Sequence, residues 1–100
     1  MIRVLLSGLS KPTGITVDSK GRNLYFTEVP TPGVSGANGG RNKVSKYDLG
    51  KSQISVIHMG DPQPTDIAVS SDGSVYWTCT SAGVIVEARL PRGGDERERD

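Results

Sequence analysis

The chain predicts an all-β fold built from two similar four-stranded antiparallel units, and three features of its 100 residues carry that expectation. First, 13 glycines and 6 prolines accompany only 34% apolar residues. That balance suits short strands joined by tight turns better than long helices. Second, "GRNLYFTE", ending at Glu28, and "GSVYWTC", ending at Cys79, are nearly one phrase written twice. Third, no stretch combines a helical apolar period with helix caps.

The duplication extends well beyond that phrase. "IRVLLSGLSKPTGITVDSKG" (Ile2 to Gly21) aligns without a gap on "ISVIHMGDPQPTDIAVSSDG" (Ile54 to Gly73), with nine of twenty positions identical. The match continues through Leu24-Tyr25-Phe26-Thr27 against Val75-Tyr76-Trp77-Thr78. It breaks at extra loop in the first copy and resumes as "KVSKYDL" against "VIVEARL".

Each copy holds four strand candidates. Ile2–Leu6 and Gln53–His58 mix β-branched and polar residues ahead of turn glycines Gly8 and Gly60. Gly14–Val17 and Asp66–Val69 are short apolar runs opened by Pro-Thr and closed by Ser-Lys-Gly or Ser-Asp-Gly. Asn23–Thr27 and Ser74–Thr78 carry the aromatic phrase, and Lys43–Asp48 and Val84–Arg89 complete the units. Short strands with turn signals at this spacing predict an antiparallel meander.

A four-stranded repeat of roughly 40–50 residues is the size of one propeller blade. "PTGITVDSKGRNLYFTE" resembles the NHL-type repeat, with its Pro, Gly, Ile, Val-Asp, Gly and Leu-Tyr-Val-Thr pattern. "VYWTC" is similar to the YWTD-type repeat, with Cys79 where that family has Asp. The resemblance covers about Ile2 to Leu90. It extends to the wider group of six-bladed β-propellers, which includes gluconolactonase (senescence marker protein)-like and streptogramin-lyase-like proteins. A six-bladed ring is what the resemblance implies.

Two blades leave apolar faces and strand edges open, and propellers need about four to eight. The expected organisation is two repeats over 1–91, namely 2–53 with an insertion at 29–42 and then 54–91, followed by a charged, disordered tail at 92–100. If the aromatic phrase is the second strand of a blade, the chain begins with an outer strand and ends without one. The simplest completion has each chain lend Ile2–Leu6 to the last blade of its neighbour. Such head-to-tail contacts close into rings, and three chains would give six blades. The alternative is that the chain is one section of a longer propeller.

A net charge of +1 without a basic run argues against nucleic-acid binding. "IRVLLSGL" is too short and too soon interrupted for a signal-peptide core. No window approaches the ~18 apolar residues of a membrane span. A soluble protein is expected, with its compartment open, and a lone Cys79 leaves no internal disulfide.

Alternate connections of a meander share one end of the blades. That end collects His58, Asp61, Asp66, Glu28, Cys79 and Thr80, together with the Pro- and Gly-rich loop Val29–Asn42. Long loops in compact domains tend to be functional or disordered. Glu28, Arg41, Asn42, Asp66 and Trp77 are therefore the candidate contacts for a small molecule or sugar. Asp66 replaces Gly14 of the first copy at the head of an inner strand. The gluconolactonase-like resemblance implies a divalent metal near such a position, so Asp66 with Glu28 is the candidate pair for Ca or Mg, competing with an Asp66 that bonds its own backbone. His58 is expected at a solvated strand end and the aromatic pairs mainly in the core. The leading functional expectation is a non-catalytic binding or scaffold propeller with no required cofactor. The alternative is a metal-dependent lactonase, hydrolase or lyase.

Overall fold

A computed structural model of the chain describes residues 1–30, 41–60, 63–80 and 82–89. The strands are β1 (Pro12–Val17), β2 (Asn23–Glu28), β3 (Lys43–Asp48), β4 (Gln53–Met59), β5 (Asp66–Val69), β6 (Ser74–Cys79) and β7 (Val84–Arg89). They form two antiparallel meanders, the first in the order β1-β2-β3-β4 and the second in the order β5-β6-β7. The expected tail, and residues 31–40 of the expected loop, lie outside the described residues.

Side-chain alternation along the strands decides how the sheets stack. On β2, Tyr25 and Thr27 point towards the second sheet, while Leu24, Phe26 and Glu28 point away. On β6, Val75, Trp77 and Cys79 point towards the first sheet, and Tyr76 and Thr78 away. Tyr25 and Val44 of the first sheet thereby join Ile67, Val75, Trp77 and Cys79 of the second in one buried cluster. Burying a large apolar side chain contributes roughly 1.5–3 kcal/mol. A hydroxyl pair contributes about 0.5–1.5 kcal/mol, so the apolar cluster dominates the packing.

Two local features shape this seam. A bulge in the β3–β4 ladder between Val44 and Ser45 sets His58 opposite Val44. The half-buried His58 ring then lies against Trp77 with centroids 5.8 Å apart. His58 is thus a packing residue between the blades, not the solvated strand end expected from sequence. Gly14 leaves room for Thr27 of its own sheet where β1 meets β5. A Cβ there would stand 3.2 Å from Thr27 Oγ1 and 3.6 Å from both Ile67 Cγ2 and the Thr65 carbonyl.

The strand expected at Ile2–Leu6 does not form within the chain. A strand exists only against a ladder partner, and the edge that β7 leaves free among the described residues belongs to the other sheet. The N-terminal segment instead crosses the face of the first sheet that points away from the second. There Leu5, Leu6 and Leu9 form a cleft of about 420 Å³ with Ile15, Leu24 and Phe26. Ile2 and Val4 remain 96% and 79% exposed.

At the opposite end of the blades the turns are tied by carboxylates. Asp18 accepts hydrogen bonds from the Arg22 N–H (2.8 Å), the Asn23 N–H (3.3 Å) and Asn23 Nδ2 (2.9 Å). In the second copy Asp72 does the same work, accepting from Ser70 Oγ and from the Ser74 N–H at 3.0 Å. Partial burial opposes ionisation of Asp18, but its donors together outweigh it and hold the carboxyl below its ordinary 3.8.

A depressed folded-state pKa stabilises the protein above the unfolded value and is lost as pH falls through the folded value. Asp18→Asn should therefore lower stability by about 1 kcal/mol at neutral pH. The gap between variant and parent should narrow below pH 3.8 in urea titrations at a series of pH values. A gap of constant size down to about pH 2 would contradict this role for the charge.

Candidate functional site

The strand directions bring the expected residues to one end of the blades. Pro12, Glu28, Lys43 and Met59 are successive ladder partners at that end of the first sheet. In the second sheet Asp66 faces Thr78, and Cys79 faces Val84. Val29 and Pro30 leave this end and Arg41 and Asn42 return to it, so the insertion emerges here, although its residues 31–40 and Asp61 are outside the described set.

Glu28 does not project into open space. It is 2% exposed, accepts the Ser10 N–H on Oε2 at 2.7 Å, and pairs through Oε1 with Lys43 Nζ at 3.6 Å. Oε1 has no hydrogen-bond partner, so the ion pair is its only close polar interaction among the described residues. The same register position in the second sheet holds Cys79 opposite Val84. A charged cross-strand pair in one blade is thus exchanged for an apolar pair in the other. Both members change together, as the low dielectric of a buried position demands. The repeat identifies Glu28 with Lys43 as a structural unit.

Asp66 is exposed and accepts the Ile67 N–H on Oδ1 at 3.0 Å, the local backbone bond that competed with metal binding in the sequence reading. It shares a face with Ala68 and Tyr76, on the outer side of the second sheet. Glu28 lies on the outer side of the first. The two carboxylates proposed as metal ligands therefore point to opposite sides of the stack. Among the described residues no three His, Cys, Asp or Glu side chains gather into a potential metal set.

Trp77, 3% exposed, lies in the inter-sheet cluster and offers no ring face to a ligand in this chain. Asn42 uses its carbonyl to accept the Gly60 N–H at 2.8 Å, which closes the β3–β4 end of the sheet. Arg41 is exposed, with its guanidinium beside Gly60. Of the candidate contacts, Arg41, Asn42 and Asp66 therefore lie at the accessible end, while Glu28 and Trp77 are internal.

Sequence reasoning missed a repeated polar device at this end. Thr13 and Thr27 share a hydroxyl hydrogen bond of 2.8 Å, and their counterparts Thr65 and Thr78 share one of 3.0 Å. Thr65 also contacts the Thr80 hydroxyl at 2.9 Å. The signal was present, since both threonines are identical in the two copies. These bonds pin the start of each inner strand to the end of its neighbour.

Among solved structures, the chain is similar to selenomethionine-substituted virginiamycin B lyase from Staphylococcus aureus. The TM-score is 0.50 at 27% identity over 84% of this chain. That lyase is a β-propeller-type protein, and the likeness supports a propeller-like section. The chain spans about 28% of the length of the lyase. No protein-family model and no curated protein matches the chain.

Replacing Glu28 by Cys leaves Lys43 without its buried counter-charge and should cost about 3 kcal/mol. Glu28→Cys combined with Lys43→Val imports the pair of the second blade and should recover all but about 1 kcal/mol. Urea titration of the three proteins checks this. Failure of the double variant to recover would contradict a purely structural Glu28.

Proposed function

We propose that the chain supplies two blades of a β-propeller that acts as a binding scaffold. Further copies of the chain complete the ring head to tail, and the end carrying Arg41, Asn42 and the 29–42 insertion faces the ligand. The observation that carries the reading is that both halves of the inter-sheet contact recur on the flanks, exposed at Tyr76 on the second sheet and covered, among the described residues, by the N-terminal segment on the first. Tyr25 meets the second sheet, and its counterpart Tyr76 stands 36% exposed on the outer face of that sheet. Ile67 and Trp77 meet the first sheet, and their counterparts Ile15 and Phe26 line the cleft on its outer face. Each flank thus carries one half of a contact that the chain makes once internally.

The scaffold reading is further supported by the carboxylates. Glu28 is engaged by Lys43 and Ser10, and Asp66 by its own backbone, so both already serve structure. A small molecule or sugar is the ligand class that suits a rim of Arg, Asn and a glycine-rich loop, through hydrogen bonds and close backbone approach. One observation favours a second reading, a metal-dependent hydrolase or lyase: the structural neighbour is a lyase.

Sedimentation equilibrium tests the assembly. The expected result is a multiple of 10.6 kDa, with the trimer favoured by the six-bladed families resembled. A monomer at high concentration overturns it. Thermal melts with added Ca²⁺ or Mg²⁺ separate the two functions. A scaffold melts unchanged, whereas a metal enzyme gains about 2.7 kcal/mol when the ion is at a hundred times its dissociation constant.

A further inference from the structure

Among the described residues the second sheet ends on β7, with no strand against its outer edge. We infer that this edge is completed by residues 1–7 of a second copy of the chain, in a register that sets Arg3 opposite Glu87. The inference rests on the assembled-propeller reading and deepens it by fixing which residues meet.

The register follows from the repeat. In the first sheet Ser45 pairs with Val56, Lys46 with Ser55, and Tyr47 with Ile54. The repeat equates Ser45, Lys46 and Tyr47 with Val86, Glu87 and Ala88, and Val56, Ser55 and Ile54 with Val4, Arg3 and Ile2. Val86 then faces Val4, Ala88 faces Ile2, and Glu87 faces Arg3. The chemistry agrees with the geometry. Val86 and Ala88 already pack against the buried cluster, so the incoming Val4 and Ile2 extend the same apolar side. Glu87 is on the other side, where it accepts the Tyr76 hydroxyl at 3.0 Å and Arg89 Nε at 3.3 Å. A cation arriving there from the neighbouring strand meets an oriented carboxylate, and an opposite-charge pair across strands is stabilising.

Two observations show the N-terminal segment prepared for this role. Gly8 holds φ at +76°, and its counterpart Gly60, which ends β4 and turns the chain into the next blade, holds φ at +109°. Both lie in the region that favours glycine, so the turn leading out of the incoming strand is already built. Ile2 and Val4 are also among the most exposed apolar residues of the chain, at 96% and 79%, and Ile85 on β7 is 75% exposed. Its own first sheet does not use the segment as a strand. Moving it to a neighbour opens the Ile15, Leu24 and Phe26 face, and that face receives the outer side of the neighbour's second sheet. Strand addition and face packing are therefore one event.

Charge reversal tests the register, because Arg3 and Glu87 are both exposed and neither change threatens folding. Arg3→Glu and Glu87→Arg should each weaken self-association about five-fold per contact, and the double reversal should restore it. The readout is sedimentation equilibrium across a concentration series, with circular dichroism to verify folding. Arg3→Glu carries the most weight, since it leaves the Tyr76 hydrogen bond to Glu87 intact. Association indifferent to the single reversals, or a double variant no better than the singles, overturns the register while leaving the assembled propeller standing. A parent chain that stays at 10.6 kDa overturns both.

Discussion

The seam between the two sheets carries the rest of the molecule. Tyr25 and Val44 on one side, and Ile67, Val75, Trp77 and Cys79 on the other, form the main buried apolar cluster. Among the described residues no helix covers either sheet, and only the N-terminal segment lies over an outer face, so each sheet depends on the other for most of its hydrophobic stabilisation. His58 is drawn onto Trp77, Gly14 sits where β1 meets β5, and the threonine pairs hold the strand ends that border the gap.

Most of the fold was legible because it was written twice. Seven of the eight expected strands form, and their bounds shift by at most two residues, as at Pro12 and Met59. The turn glycines and the repeated aromatic phrase gave the strands, and alternation gave one inward residue in each aromatic pair. The exception, Ile2–Leu6, carries the same apolar pattern as its counterpart in β4 and yet forms no ladder. Pattern specifies that a segment suits an edge, and it does not supply the edge.

The candidate site was less legible, for a related reason. Glu28 drew attention as a carboxylate beside a long loop, and only its ladder partner explains it. Lys43 is fifteen residues away in sequence, so the ion pair appears once β2 and β3 are set in register. The signal was nonetheless available. Where Glu28 becomes Cys79, Lys43 becomes Val84, and a paired change between repeats reports a contact. Trp77 gave a weaker signal, because alternation says that one of Tyr76 and Trp77 is internal without saying which. Packing chose Trp77.

Gly14 and Asp66 occupy one position of the repeat and differ in what they allow beside them. Gly14 adds no side chain between β1 and the second sheet, and a Cβ there would crowd Thr27 of its own sheet. Asp66 puts a carboxylate at the same place on the outer face of the second sheet. A further blade set against that face must stand off, or bring a donor to the carboxylate. In the proposed assembly the contact within a chain and the contact between chains would therefore differ, the second holding a carboxylate where the first holds a glycine. A ring closed from such chains has the rotational symmetry of its chains, never that of its blades.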